Sequence, residues 1–160
     1  SLHMAGEAFK MQSGVDIVNI PYKGTAPAVQ DLLAGQVQLM FAAVGNVKAH
    51  IQAGKLKALG VTTTKRLPAF PDVPAIAEVL PGYESSAWFG LFGPARMATD
   101  TSRKTSDAAR QALQQADMRQ RLETEGAIPV GNSPEQFSAF VQSEIVRWAK
   151  VVKFSGAKPE

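Results

Sequence analysis

Residues 1–61 alternate between a helical and a strand-like hydrophobic pattern. Apolar residues recur at helical spacing in residues 2–12, 25–34 and 47–53. The intervals hold apolar, partly β-branched runs, at residues 15–20, 37–43 and 56–61. Strands joined through helices of about ten residues pair in parallel with right-handed crossovers. The pattern therefore predicts an α/β fold with a mainly parallel βαβαβ sheet.

Residues 62–94 are predicted to form a long surface connection followed by a strand that crosses between layers of the fold. Residues 62–82 contain four prolines, which break regular structure, and leave room for one helical turn at residues 75–79. Residues 88–94 are apolar, punctuated by Gly90 and Gly93, and end at Pro94. We interpret this second segment as a crossover strand and candidate hinge.

Beyond Pro94 the pattern is helical. Helices are predicted over residues 99–117 and 118–125, and the first of them has a weak apolar stripe. Ser133 with Gln136 three residues later predicts a capping box at the start of a last helix that ends before Gly156. The last helix has a wide apolar stripe, formed by Phe137, Phe140, Val141, Ile145, Trp148, Val151 and Val152. A stripe of this size needs a partner surface, and we expect a homodimer through this helix.

Composition and charge exclude several classes of protein. The 17 basic and 14 acidic residues of the 160-residue chain are dispersed, whereas a nucleic-acid backbone requires clustered cations. We therefore expect no nucleic-acid binding. The absence of cysteine rules out disulfides, thiolate metal sites and cysteine nucleophiles. The apolar runs are shorter than the roughly 18 to 20 residues that span a bilayer, and the start lacks the pattern of a signal peptide, so a fragment of a longer protein is expected.

Catalytic and metal-binding motifs are not found. His3 and Glu7 are one turn apart on a predicted helix, and such an isolated pair lies more often on a solvated face than at a metal. The chain contains no nucleophile elbow, phosphate-binding loop or dinucleotide motif. We predict no metal, no cofactor and no enzymatic activity.

One polar segment is a candidate binding site. Residues 21–27 lie between the end of a predicted strand and the start of a helix, which is where open α/β sheets bind ligands. Helical N–H groups, the Thr25 hydroxyl and nearby Lys23 together favour a carboxylate or phosphate. The alternative interpretation is that Thr25 is an ordinary N-cap and Lys23 is simply solvated.

Several strings of the sequence resemble the Bug-type receptors of tripartite tricarboxylate transporters. The matching strings are residues 21–24, 28–41, 54–62, 71–74, 81–84, 88–94 and 148–152. They extend over essentially the whole chain.

The resemblance implies a fold, a location and partners. Such receptors are similar to type II periplasmic binding proteins, in which two α/β lobes close on a small carboxylated solute and pass it to membrane permease subunits. Residues 1–87 would be the second lobe, residues 88–94 the crossover, and residues 95–160 helices that normally cover a first lobe, which is absent from this chain. A periplasmic location is implied, with ligand contacts from Lys23, Gly24, Thr25, Ala26 and Ala42.

Ala42 is also a departure from the family's pattern. The family usually has an aspartate after the residues that match Met40 and Phe41, and the alanine disfavours an amino-acid ligand. The chain also has Thr101, Ser102 and Thr105 where larger aliphatic residues are usual, so weaker docking of that helix is expected.

The sequence is also compatible with two other classes of protein. One is the ligand-sensing domain of a LysR-type transcription regulator, which resembles the same two-lobe fold. The other is an enzyme that uses the same cleft, although the sequence offers no set of nucleophile, base and orienting residue.

Overall fold

The regular structure of the protein is helical. A computed structural model describes residues 2–157. The helices within them are α1 (Leu2–Ser13), α2 (Thr25–Leu33), α3 (Val44–Gln52), α4 (Thr99–Gln114), α5 (Ala116–Thr124) and α6 (Pro134–Ser155), with a 3₁₀ helix at Ile76–Glu78. None of these described helices has the length and apolar character needed to cross a membrane.

The helices lie where the hydrophobic pattern predicts them, with two shifted boundaries. Helix α3 begins at Val44 rather than at Val47, because Ala43 is the extended N-cap residue and the Asn46 N–H already donates to its carbonyl at 3.0 Å. The break between α4 and α5 lies at Gln115 rather than after Asp117. Gln115 has an extended ψ of 139°, and this single residue separates the two helices.

The capping box at the start of α6 is confirmed. The Gln136 N–H donates to Ser133 Oγ at 3.2 Å, and the Ser133 N–H donates to Gln136 Oε1 at 2.9 Å. These reciprocal bonds satisfy N–H groups that the first turn of a helix leaves without backbone partners.

The predicted parallel sheet is not confirmed. No β-strand forms within residues 2–157, and the only bridge described there joins Val61 to Ala75 in parallel. Parallel strands are normally covered on both faces. The predicted strands instead leave large apolar side chains open to solvent, including Val18 at 76% and Leu59 at 64% exposure. The segments lack the burial that accompanies such a sheet.

The described residues divide into two compact units. One unit contains the chain up to Ala87 together with the residues from Val151 onward, and the other contains Trp88–Lys150. The domain boundaries inferred from the sequence, residues 1–87, 88–94 and 95–160, remain predictions.

Tyr83 is the largest fully buried side chain described in the first unit. Its side chain is fully buried, and its hydroxyl donates to the Ala5 carbonyl of α1 at 3.1 Å. Phe9 meets the Tyr83 ring edge-on at 5.9 Å and the Phe41 ring at 6.1 Å. Burial raises the pKa of Tyr83 to about 12, because the phenolate would lose its hydration.

The second unit packs aromatic rings against the first half of α6. Trp88 meets Phe137 at 5.8 Å and Phe140 at 5.3 Å, and Phe92 meets Phe137 at 5.2 Å. The chain approaches Phe137 so closely at Gly90 that an added Cβ would lie 2.2 Å from the ring. Only glycine fits there without a shift of the ring.

A buried carboxylate completes this cluster. Glu144 Oε2 accepts hydrogen bonds from Trp88 Nε1 at 3.1 Å and from Trp148 Nε1 at 3.0 Å, and Arg147 Nη2 lies 3.1 Å from the same carboxylate. These are the only two tryptophans of the sequence. Helix α4, in contrast, buries no residue among those described, in keeping with its weak apolar stripe.

Candidate functional site

A turn whose backbone only glycine readily adopts precedes α2. Gly24 has φ 109° and ψ 171°, in a region that is essentially restricted to glycine. Gly24 is the N-cap residue, and Thr25 is the first residue of the helix. The alternative that Thr25 caps the helix is therefore wrong, because the chain enters the helical conformation one residue earlier than that interpretation requires.

The start of α2 has no side-chain cap. No side chain accepts from its first N–H groups, and its first turn contains no acidic residue. Helix α6 differs, since Ser133 and Gln136 cap it. Pro27 has no N–H, so the free donors of the first turn belong to Thr25 and Ala26. These two groups carry the partial positive charge of the helix end.

Two side chains add to these donors. Lys23 is exposed on the turn. Thr25, the first residue of the helix, carries a hydroxyl and is half-buried. A cation, a hydroxyl and two N–H groups within four consecutive residues are suited to an oxyanion such as a carboxylate. The chemistry that these groups support is the binding of an anion.

Ala42 lies in the segment that leads into the neighbouring helix. It is half-buried, one residue before the N-cap of α3, and α3 contacts α2. Its methyl group neither donates nor accepts a hydrogen bond. The start of α3 also has no side-chain cap and no acidic residue in its first turn. The grouping of Ala42 with residues 23–26 remains a prediction.

Tyr22 has a partner in α2 that its position in the sequence does not reveal. The Tyr22 hydroxyl donates to Asp31 Oδ2 at 2.8 Å, which joins the turn to the body of α2. This hydrogen bond raises the pKa of Tyr22, with smaller contributions from desolvation and from the charge of Asp31. The available signal was a tyrosine just before a predicted helix whose later turn carries an aspartate.

Other charged contacts lie away from this turn. Arg66 binds Glu78 through Nε at 2.8 Å and Nη2 at 2.9 Å, and the Ala75 N–H also donates to Glu78. Arg66 first, and then the Ala75 N–H, lower the pKa of Glu78 to about 2. The bidentate contact joins the proline-rich connection to the 3₁₀ helix.

The expectation of a solvated pair at His3 and Glu7 is wrong for Glu7. Glu7 is buried, with Lys10 Nζ at 3.4 Å and His3 Nε2 at 3.6 Å from Oε1. The packing of α1 places its carboxylate inward, a result that helical spacing alone does not reveal. Across residues 2–157, histidine and acidic side chains form no group of three or more suited to a metal ion.

The family model of the tripartite tricarboxylate transporter family receptor matches residues 1–156. The chain belongs to this family. The family consists of solute-binding receptors, and its match favours the receptor hypothesis over the transcription regulator and the enzyme.

Curated relatives agree with this assignment. A UPF0065 protein from the clcB–clcD intergenic region of Pseudomonas knackmussii is 32% identical over 154 residues, which cover 95% of this chain and 91% of that protein. Protein BugT of Bordetella pertussis is 36% identical over 157 residues, which cover 98% of this chain and 48% of BugT. The chain spans about half the length of BugT and of most other curated relatives it matches.

Solved structures of the same kind superimpose on the chain. An R. palustris protein with adipate has a TM-score of 0.84 at 36% identity, over 99% of this chain and 54% of that protein. The periplasmic binding protein BugD has a TM-score of 0.80 at 33% identity, over 100% of this chain and 55% of BugD. MatC from Rhodopseudomonas palustris with bound malate has a TM-score of 0.75 at 36% identity, over 94% of this chain and 53% of MatC. Over the aligned residues, about half of each of these proteins, the chain has the fold of these periplasmic binding proteins.

Proposed function

We propose that the chain forms one side of the binding site of a receptor for small carboxylates, with residues 23–26 accepting a carboxylate group. The observation that carries this proposal is the uncapped start of α2 beside Lys23. Adipate and malate in related structures support the same chemical class of ligand.

Each contact of the turn contributes modestly. A helix end stabilises an exposed anion by about 0.3 to 1 kcal/mol, and an exposed ion pair contributes about 0.2 to 1 kcal/mol. Added together, these two free-energy contributions are too small to account for the affinity of a receptor site. This chain covers 48% of BugT. We propose that the remainder of such a receptor forms the other side of the site, so the 160-residue chain by itself should bind its solute weakly or not at all.

Ala42 bears on which carboxylates bind. An aspartate at this position would provide an acceptor for the amino group of an amino acid, and the methyl group of Ala42 provides none. The proposal therefore favours dicarboxylates and tricarboxylates without an amino group.

Membership of the family supports a proposal about location and partners. We propose that the receptor is periplasmic and delivers its solute to the permease subunits of a membrane transporter. We also propose that the isolated chain forms a homodimer through α6, since Ile145 and Val152 of its apolar stripe are 58% and 43% exposed.

Calorimetric titration of the full-length receptor tests the proposed site. Succinate, adipate, malate and citrate are titrated against the parent and against Lys23→Ala. Loss of the Lys23 charge should weaken binding by a factor of about 1.4 to 5, equivalent to ~0.2 to 1 kcal/mol. Lys55→Ala is the matched control, because Lys55 is also exposed but follows the opposite end of α3.

The titrations distinguish failure of the carboxylate-receptor proposal from failure of the Lys23 contact. A parent that binds none of the four acids contradicts the carboxylate receptor. A parent that binds, with Lys23→Ala and Lys55→Ala both equal to it, removes Lys23 from the site.

A further inference from the structure

Tyr22 and Asp31 form a hydrogen bond next to the proposed carboxylate site. The phenol lies two residues before Gly24, and the carboxylate lies in the second half of α2. Their oxygens are 2.8 Å apart, and both side chains are half-buried. A hydroxyl that donates to an ionised carboxylate forms one of the stronger types of hydrogen bond.

The turn between these two residues needs such a constraint. Glycine has the largest conformational freedom of any residue, so Gly24 by itself leaves the direction of the preceding residues loosely determined. The Tyr22 hydrogen bond fixes the chain on the other side of Lys23. Lys23 therefore lies between Tyr22, which is bound to α2, and Gly24, the N-cap residue of α2.

We propose that Tyr22 and Asp31 are positioning residues for the carboxylate site, whose hydrogen bond holds the turn of residues 21–24 in the conformation that presents Lys23 and the first N–H groups of α2 to the ligand. This inference rests on the proposed function, because it assigns the pair a role in that same site. Neither residue is required to touch the solute.

The charge of Asp31 has only a small direct effect on a bound anion. Asp31 is six residues beyond Thr25, a distance of about 9 Å along a helix that rises 1.5 Å per residue. At physiological ionic strength, screening acts over about 8 Å. A neutral residue that still accepts the Tyr22 hydrogen bond should therefore preserve binding.

Four variants of the full-length receptor test the role, with the dicarboxylate that the parent binds best as the probe. Tyr22→Phe removes the donor and Asp31→Ala removes the acceptor, and each should raise Kd by a factor of about 3 to 10. The double variant should bind the dicarboxylate no more weakly than either single variant, because the two substitutions remove the same hydrogen bond. Asp31→Asn retains an acceptor oxygen and should bind within about twofold of the parent.

The matched control is Tyr83→Phe. Tyr83 is the other tyrosine of the sequence, and its hydroxyl bonds the Ala5 carbonyl, away from α2. Its loss should leave Kd unchanged. Circular dichroism of each variant establishes that the helices are retained.

Absorbance titration of the tyrosines reports the contact without any ligand. The hydrogen bond to Asp31 raises the pKa of Tyr22, whereas burial raises that of Tyr83 to about 12. Asp31→Ala should lower the pKa of Tyr22 towards its ordinary value and leave the Tyr83 transition in place. A merely structural role elsewhere in α2 would not move this transition.

The outcomes distinguish the positioning role from the proposed function. If the parent binds a dicarboxylate and Lys23→Ala weakens it, but Tyr22→Phe and Asp31→Ala bind as the parent does, the positioning role is wrong and the proposed function stands. If the parent binds no carboxylate, both are wrong. Weakened binding by Tyr22→Phe and Asp31→Ala, with recovery in Asp31→Asn, supports the positioning role.

Discussion

Gly24 is the residue on which the conformation of the candidate turn depends. Its φ of 109° with ψ of 171° is open to glycine and strained for other residues. An added Cβ would meet no atom within 4 Å, so the cost of a substitution lies in the backbone and not in a clash. The turn can therefore be perturbed without disturbing its neighbours.

Gly24→Ala should destabilise the chain by about 1 to 3 kcal/mol, because alanine must adopt this strained conformation or shift the start of α2. Urea unfolding followed by circular dichroism measures the change. Gly6→Ala is the matched control. Gly6 lies within α1, and its added Cβ would contact the Phe41 ring at an ordinary 3.5 Å, so this variant should be equal or slightly more stable. Equal unfolding free energies for Gly24→Ala and the parent would show that the turn tolerates a side chain.

At the scale of elements, Glu144 connects α6 to the segment that begins at Trp88. One carboxylate oxygen accepts from both tryptophans, and Arg147 provides a compensating positive charge. Burying a carboxylate is costly unless it is paired and hydrogen-bonded in this way. The aromatic packing of Trp88, Phe137 and Phe140 and this polar contact therefore depend on each other.

Glu144→Ala should lower the unfolding free energy by about 1.5 to 3 kcal/mol, since hydrogen bonds to a charged group are lost and two indole N–H groups lose their acceptor. Tryptophan fluorescence should shift to longer wavelength, because both fluorophores contact this side chain. Glu144→Gln retains an acceptor oxygen and should lose less. Gln142→Ala, an exposed position on the same helix, is the control and should match the parent. An unchanged emission maximum in Glu144→Ala would contradict the shared contact.

At the scale of the whole molecule, the apolar stripe of α6 is only partly covered. Phe137 and Phe140 pack within the second unit, and Val151 is buried, whereas Ile145 remains 58% exposed. The half of the stripe that packs within its own chain reduces the apolar area available to a dimer. The remaining exposed residues are those on which a homodimer would depend.

The 160-residue chain should scatter light as a particle of twice 17.1 kDa if α6 pairs with a second copy. Ile145→Glu should convert it to a monomer, because a buried unpaired carboxylate is costly at an apolar interface. Val146→Glu is the matched control, since Val146 is 65% exposed on the same helix but lies outside the stripe. A parent that is monomeric at all concentrations overturns the homodimer.

Local sequence signals determined much of this protein. Helix positions follow from apolar spacing, and the start of α6 from Ser133 and Gln136, because these interactions join residues only three or four positions apart. The family could also be predicted, since its characteristic strings are contiguous. The proposal that residues 23–26 accept a carboxylate rests on the same local signals and stays a prediction.

Only the tertiary structure decided the contacts between distant residues and the packing around them. The Tyr22 bond to Asp31, the two indoles on Glu144 and the inward position of Glu7 depend on how elements pack, and no spacing rule specifies that packing. The change of N-cap from Thr25 to Gly24 depends on one backbone angle. Strand pairing likewise depends on cover over both faces of a sheet, which an apolar run cannot provide for itself.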